Sequence, residues 1–207
     1  MTSKAVRRKY NLLARVYDII YWGYVRKTNV MACQALALSG HEHLLNIGCG
    51  TGDLEKRLIQ KHPGLRLTGI DLSQDMLERA REKLGGNPRI QFTEGDFLTV
   101  PLPENSFDAV LSISNLHYFR NPEAVFAKTR RLLKPGGTFI LIDWNRKSLK
   151  GQLYHAYMSA FDPAFAKVYT MEEATRLLDK NGFQIEKTTR FRVGLLWAMM
   201  QIVAKKA

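Results

Sequence analysis

Between residues 43 and 143 short apolar runs alternate with helix-like stretches, and that alternation leaves few folds open. The strand-like runs are 43–47, 65–70, 89–93, 107–113 and 138–143. Apolar residues at helical spacing fill 51–61, 73–84 and 122–133, with Ser73 as an N-cap and Gly85-Gly86 as a stop. Lys134-Pro135-Gly136-Gly137 is a turn feeding the last of these strands. Strands joined through helices require crossover connections, hence an α/β fold with a parallel sheet. A helix over 171–180 follows, then two β-like runs, 183–191 and 196–205, expected to pair antiparallel at the sheet edge. The stretch 144–169 shows no clear period. The first region, about 3–39, reads as helical, with Gly23 as the break between two helices.

One junction in this pattern carries chemistry. Leu44-Leu45-Asn46-Ile47-Gly48-Cys49-Gly50-Thr51-Gly52 runs an apolar strand into a glycine turn that opens a helix. Glycines let the backbone approach a ligand closely, and free N–H groups at a helix start favour negative charge. A dinucleotide fingerprint needs G-x-G-x-x-G, whereas here the spacing is G-x-G-x-G and Asp53 stands at the third-glycine position. An acid there sits badly beside a pyrophosphate and is harmless beside a small zwitterion. Asp71 ends the second strand, about twenty residues on, where such folds hold a ribose diol. Glu94-Gly95-Asp96-Phe97 then offers a carboxylate for an exocyclic amine, beside a ring or backbone N–H for a purine.

Together with Phe107-Asp108-Ala109-Val110 and Leu132-Leu133-Lys134-Pro135-Gly136-Gly137, this ordered set resembles the class I S-adenosylmethionine-dependent methyltransferases, from Leu44 to the C-terminus. The resemblance implies a Rossmann-like seven-stranded methyltransferase sheet with helices on both faces. Five strands would be parallel, with an antiparallel strand at one end, and the cofactor would be S-adenosylmethionine. Residue by residue, it implies Gly48, Gly50 and Thr51 against the methionyl and ribose portions, and Asp71 on the ribose hydroxyls. Leu72 and Met76 would lie against the adenine, Asp96 and Phe97 at its edge, and Ser114 on the methionine part. Asn46 departs from the pattern, since the family usually has an acid there that helps orient the methionine end.

The start of the chain adds a second likeness. Tyr10-Asn11-Leu12-Leu13-Ala14-Arg15-Val16-Tyr17-Asp18 resembles the entry helix of small methyltransferases that act on quinones and phospholipids. Ile19-Ile20-Tyr21-Trp22-Gly23-Tyr24-Val25 is similar to that of bacterial phosphatidylethanolamine N-methyltransferases. This implies a helical cap over 1–40, with Tyr10 among the cofactor contacts, on a methyltransferase domain over 41–207. It also implies a lipophilic acceptor, a phospholipid amine or a quinol, with a soluble small metabolite as the alternative.

Charge bears on the partner. Lys and Arg number 31 against 19 Asp and Glu, a net charge of +12. From residue 1 to 30 the bases are Lys4, Arg7, Arg8, Lys9, Arg15, Arg26 and Lys27, and Asp18 is the one acid. Such a basic, aromatic segment suits an anionic membrane surface, or serves only as a solvated lid. Nucleic acid is the third partner that charge allows. It is not expected here, because Ser114-Asn115-Leu116-His117 stands where many base-modifying methyltransferases carry an Asn/Asp-Pro-Pro-aromatic run. The apolar run 195–204 is too short to span a bilayer, and no uninterrupted apolar stretch follows the basic start. Cys33 and Cys49 make neither a disulfide framework nor zinc spacing, and Asp143 and Asn145 lack a companion acid for a metal. A cytoplasmic protein, peripheral on the inner membrane face, is the expected setting.

Methyl transfer from a sulfonium disperses charge, so alignment and exclusion of water should dominate catalysis. Tyr17 and His117 are the candidate catalytic residues. Tyr17, with Tyr10 and Tyr21, offers ring faces or a hydroxyl near the methyl. His117 follows strand four and is either a base or a hydrogen-bonded positioning residue. Tyr154, His155 and Tyr157 are either substrate contacts or surface packing, and His41, His43 and Cys49 read as structural. A binding module without turnover on the same fold is the non-enzymatic alternative.

Overall fold

Seven hydrogen-bonded strands organise the computed structural model, which describes residues 2–147, 149–194 and 197–207. Three helices come first: α1 (Thr2–Leu13), α2 (Tyr17–Ile20) and α3 (Trp22–Ala35). The sheet then alternates with helices through β1 (His43–Ile47), α4 (Asp53–Lys61), β2 (Arg66–Asp71), α5 (Gln74–Leu84) and β3 (Ile90–Glu94). It continues with β4 (Phe107–Ile113), α6 (Pro122–Leu132) and β5 (Leu133–Trp144). The chain closes with α7 (Leu149–Phe161), α8 (Met171–Lys180), β6 (Phe183–Val193) and β7 (Trp197–Lys206). Strand order is β3-β2-β1-β4-β5-β7-β6, with the first five parallel. Ligand crevices in such sheets open where the order reverses, which here is between β1 and β4.

The antiparallel strand is not at the end of the sheet. β7 lies between β5 and β6 and pairs antiparallel with both. Burial explains the placement. The β7 run from Met199 to Ala204 is buried without interruption, as befits a strand covered on both faces, whereas β6 alternates exposed polar residues along its length. The expected start of this strand at Leu196 lies outside the described residues.

Two other expectations shift. Gly23 does not break the N-terminal segment; it sits inside α3 with open space around it. The real breaks are at Ala14–Val16 and Tyr21, where the chain bends to send Tyr17 inward, and α3 ends at Ala35 rather than near Ser39. The helix expected from Thr51 begins at Asp53, because Gly52 takes a left-handed φ of 73° as its N-cap. Its missing Cβ also matters: one built there would stand 2.9 Å from that of Ala80 on α5. The region 144–169 contains α7, which packs Met158 with Phe165 and Val168 against Trp144.

Candidate active site

The β1–β4 crevice holds a cavity of about 300 Å³. Its floor is made by strand ends and the turns after them. Gly48 is required by contact, since a Cβ there would lie 2.6 Å from Asn115 Nδ2. Asn115 in turn donates to the Ile47 carbonyl and so ties the β1 and β4 ends together. Gly50 has φ of 56° and nothing within 4 Å of where a Cβ would be, so it leaves both conformation and space to a ligand. Ser114 is a non-glycine residue at φ 58°, held there by its N–H donating to Ile142 at 2.7 Å.

Asp71 stands at the centre. Its Oδ2 accepts from the Gly50 N–H at 2.8 Å and its Oδ1 from the Ser73 N–H at 2.9 Å. A carboxylate offers about four acceptor positions, so capacity for a diol remains. Burial raises its pKa, opposed by the N–H groups of Ser73, Gly50 and Leu72. Leu72, Met76 and Phe97 give apolar walls, and Asp96 closes the far side, accepting from Leu98 N–H and Ser3 Oγ. A diol acceptor, an apolar slot and a carboxylate at its edge fit the adenosine of S-adenosylmethionine.

Two smaller chambers adjoin this cavity, and Tyr17 and Ser114 line all three. One, of about 60 Å³, is polar and includes Thr28, Asn29, Asn46, Thr51 and Asp53. Thr51 therefore faces this chamber and not the main cavity, and its hydroxyl donates to Asp18 at 2.6 Å while accepting from Lys83. The other chamber, about 90 Å³, is aromatic, with Tyr10, Tyr17, Tyr21, Tyr24, Trp144 and Trp197 among its walls. Burial pushes the Tyr10, Tyr17 and Tyr24 hydroxyls up, so these rings stay neutral at physiological pH.

His117 lines the aromatic chamber and is fully buried. Its Nδ1 lies 2.7 Å from Asp143 Oδ1, its ring stacks on Trp144 with centroids 4.0 Å apart, and Nε2 has no partner among the described residues. Asp143 had no visible role in the sequence; only the sheet register, which sets the end of β5 beside the turn after β4, brings it to His117. Tyr24, Trp144 and Trp197 were likewise unforeseen in this site, whereas Tyr118, expected beside His117 at the carboxyl end of the sheet, lines it. His155 packs edge-on against Phe165, Tyr157 packs with Phe161, and the side chain of Tyr154 lies outside the described residues. No cluster of three His, Cys, Asp or Glu groups suited to a metal occurs among the described residues.

The N-terminal helices are sewn over this crevice by polar ties. Arg7 pairs with Glu94, Asn11 Oδ1 accepts from Ser73 Oγ at 2.6 Å, and Lys83 pairs with Asp18 at 2.7 Å. Lys9 turns inward to donate to Asp162 at 2.6 Å and to the Tyr118 hydroxyl at 3.1 Å.

Known proteins are similar to this chain. A family model described as "Methyltransferase domain" matches residues 45–141, the stretch that supplies the glycine turn, Asp71, Asp96 and Ser114. A demethylmenaquinone methyltransferase of Thermotoga maritima is 29% identical over 169 residues, covering 78% of this chain and 72% of that protein. The sterol 24-C-methyltransferase ERG6B of Gibberella zeae is 34% identical over 124 residues, 52% of this chain; the chain spans only 32% of that relative's length. Among solved structures, geranyl diphosphate C-methyltransferase from Streptomyces coelicolor, in complex with Mg2+, geranyl diphosphate and S-adenosyl-L-homocysteine, shares the fold. Its TM-score is 0.72 at 16% identity, covering 88% of this chain and 79% of that one. The family domain thus lies over the residues that line the cavity, and the chain carries a methyltransferase domain on the class I S-adenosylmethionine-dependent methyltransferase fold.

Proposed function

We propose that this enzyme methylates the amine headgroup of a phospholipid presented at an anionic membrane surface. The observation that carries the reading is the aromatic chamber beside the main cavity, with Tyr10, Tyr17, Ser114 and Tyr118 shared between the two. Aromatic faces attract ammonium groups, by about 2 kcal/mol when water is excluded. When bound, S-adenosylmethionine supplies an electrophilic methyl carried on a positively charged sulfur. An amine can receive it only as the free base, so one proton must leave the ammonium. Asp143, an acceptor, holds the proton of His117 on Nδ1 and leaves Nε2 bare to take it. Trp144, stacked on the imidazole, fixes the ring plane. Tyr17 and Ser114, at the junction of the three spaces, exclude water from the line of transfer.

The exterior supports a lipid source. Leu12, Val16, Ile19, Ile20 and Trp22 are exposed around α2, and Leu153 and Phe161 are exposed on α7, across the chamber that Leu13 and Met158 both line. Lys4, Arg8, Arg15, Arg26 and Lys27 are exposed nearby in sequence. Interfacial Trp and basic residues suit attachment to an anionic bilayer. Among the described residues no helix is long and apolar enough to cross a membrane.

A quinol ring is the second reading, favoured by the Thermotoga maritima relative; there Nε2 would take a phenolic proton. Labelled S-adenosylmethionine, offered with phosphatidylethanolamine vesicles or with a demethylated quinol in neutral vesicles, separates the two. Label is expected in the phospholipid amine. Label in the quinol alone overturns the first reading in favour of the second, and labelling of neither removes both.

A further inference from the structure

The aromatic chamber has an ammonium in its wall. Among its described lining residues Lys9 is the one with a permanent positive charge. Its Nζ donates to Asp162 Oδ2 at 2.6 Å and to the Tyr118 hydroxyl at 3.1 Å. An ammonium has three donors, so one N–H is used by neither partner. Burial works against the charge, but Tyr118 and Asp162 outweigh it and the pKa is raised, so Lys9 stays protonated at physiological pH. Its counter-charge, Asp162, is not on the chamber wall, so a ligand there meets the ammonium and not the carboxylate. Rings that suit an ammonium acceptor are poorly served by a second ammonium beside them, because like charges repel. The conflict disappears if the acceptor also carries an anion.

We propose that Lys9 selects an acceptor bearing a phosphodiester, donating its remaining N–H to the phosphate of a lipid whose amine reaches His117. This rests on the phospholipid-amine reading above and adds the part of the headgroup recognised besides the reacting nitrogen. Both ends of the contact touch one ring: Lys9 Nζ lies 5.5 Å from the centroid of Tyr118, and the His117 ring lies 4.2 Å from it, centroid to centroid. An ethanolamine unit bridges such a span. The order of exposure matches the order of groups in the lipid. The His117 side chain is 2% exposed and that of Lys9 34%, while Leu12 on α1 and Phe161 at the end of α7 are exposed outside. A phospholipid entering headgroup first places its amine deepest, its phosphate behind that and its acyl chains outermost. Asp162, just past α7, holds the Lys9 side chain inward. The same segment braces the base, since the Ala166 and Lys167 N–H groups donate to the His117 carbonyl. A Lys9 that served only to tie α1 to this segment would therefore act on every acceptor alike.

Two acceptors in uncharged detergent micelles isolate the effect on the full chain. One is phosphatidylethanolamine; the other is a diacylglycerol carrying an aminoethyl ether, which keeps the amine and the chains without the phosphate. The readout is the ratio of kcat/KM for the first to that for the second. Lys9→Gln is expected to lower this ratio about tenfold, the loss of one charge-assisted hydrogen bond. Lys9→Arg should restore most of it. Asp162→Asn releases the ammonium from its counter-charge and should hold the ratio at or above the native value, even where the rates themselves fall. A ratio unmoved by Lys9→Gln makes Lys9 a structural tie and overturns the proposal, as does an Asp162→Asn ratio that falls as far as that of Lys9→Gln. If Lys9→Gln does not fold, the Lys9→Gln/Asp162→Asn chain, neutral on both sides, is compared with Asp162→Asn. A tenfold lower ratio supports the proposal and an equal one overturns it. If the native enzyme labels neither amine, the amine reading falls and the proposal with it; if it labels both and the ratio does not move, the assignment of Lys9 alone falls.

Discussion

The cofactor side and the acceptor side of the crevice are made of different materials. The first is backbone and short segments: a glycine turn, an acid ending β2, another after β3, and a strained serine after β4. The second is side chains gathered from distant places, Tyr10 to Tyr24, His117, Trp144, Met158 and Trp197. Strand geometry holds the cofactor side, so its residues have little freedom to vary. The aromatic chamber depends on how α1–α3 and α7 are draped over the sheet.

The largest effect expected from this contrast is at Asp71. Charge-assisted hydrogen bonds contribute roughly 1.5–3 kcal/mol each, so losing two to a ribose diol should cost about 10²-fold to 10⁴-fold in cofactor affinity. Asp71→Ala also frees the Gly50 and Ser73 N–H groups, which loosens the turn itself. Calorimetry with S-adenosylhomocysteine measures the loss, and vesicle binding of the same variant should be unchanged. Native affinity would remove the ribose from Asp71, and a parallel loss of vesicle binding would dissolve the distinction between the two sides.

The same contrast governs what could be read from the residues alone. Glycine spacing, Asp71 and Asp96 are local signals, because each sits at a strand end and its neighbours in sequence are its neighbours in space. Position alone led to His117, but its partner Asp143 is 26 residues away and meets it only through the β4–β5 register. Glu55 carried no signal in the sequence; its burial against Asn46 follows from how α4 packs over β1. The place of β7 inside the sheet was legible in its apolar run, broken only by Gln201, yet two strands forming a hairpin can dock by either edge. The aromatic chamber had no periodic trace, since five separate segments converge on it.

Glu55 offers a stability test that binding does not touch. Burial raises its carboxyl to about 7, Asn46 opposes this by hydrogen bonding, and Asp71 and Asp53 push further upward. The folded chain therefore holds a proton that the unfolded chain has lost between about pH 4.5 and 7, and stability falls as pH rises through that window. Above it, the shift corresponds to about 3 kcal/mol of destabilisation. In urea titrations of the ligand-free protein, Glu55→Gln should gain about that much at pH 8 and little at pH 4.5. A flat difference across this range would mean that Glu55 is not held as an unpaired buried acid.

Tyr17 sits on the boundary and sharpens it. Its ring faces all three spaces and is 4.9 Å, centroid to centroid, from that of Tyr21. Tyr17→Ala should leave S-adenosylhomocysteine affinity within a few fold, because Asp71 and the glycine turn are intact. Turnover should fall about 10-fold to 10²-fold as alignment is lost. Steady-state kinetics with saturating cofactor read this directly. Equal losses in cofactor affinity and turnover would place Tyr17 wholly on the cofactor side.

The smallest expected effect separates charge from apolar contact at the membrane. The basic start suggests that Lys4, Arg7, Arg8 and Lys9 act together on an anionic surface, but two of them are committed elsewhere. Arg7 holds Glu94 on the protein's own surface, and Lys9 turns inward to Asp162. An exposed ion pair such as Arg7–Glu94 contributes about 0–1 kcal/mol, so Arg7→Gln should shift neither the unfolding midpoint nor vesicle binding by much. Lys4 and Arg8 remain exposed, each able to contribute on the order of 1 kcal/mol at an anionic bilayer. Leu12, Ile19 and Trp22 add an apolar contribution that salt does not screen. Co-sedimentation with phosphatidylglycerol vesicles should therefore weaken as salt rises but not vanish, with Arg7→Gln close to the native curve and Trp22→Ser clearly below it. If Arg7→Gln instead falls as far as Lys4→Gln and Arg8→Gln, the Arg7–Glu94 tie opens at the membrane and the cap moves as it binds.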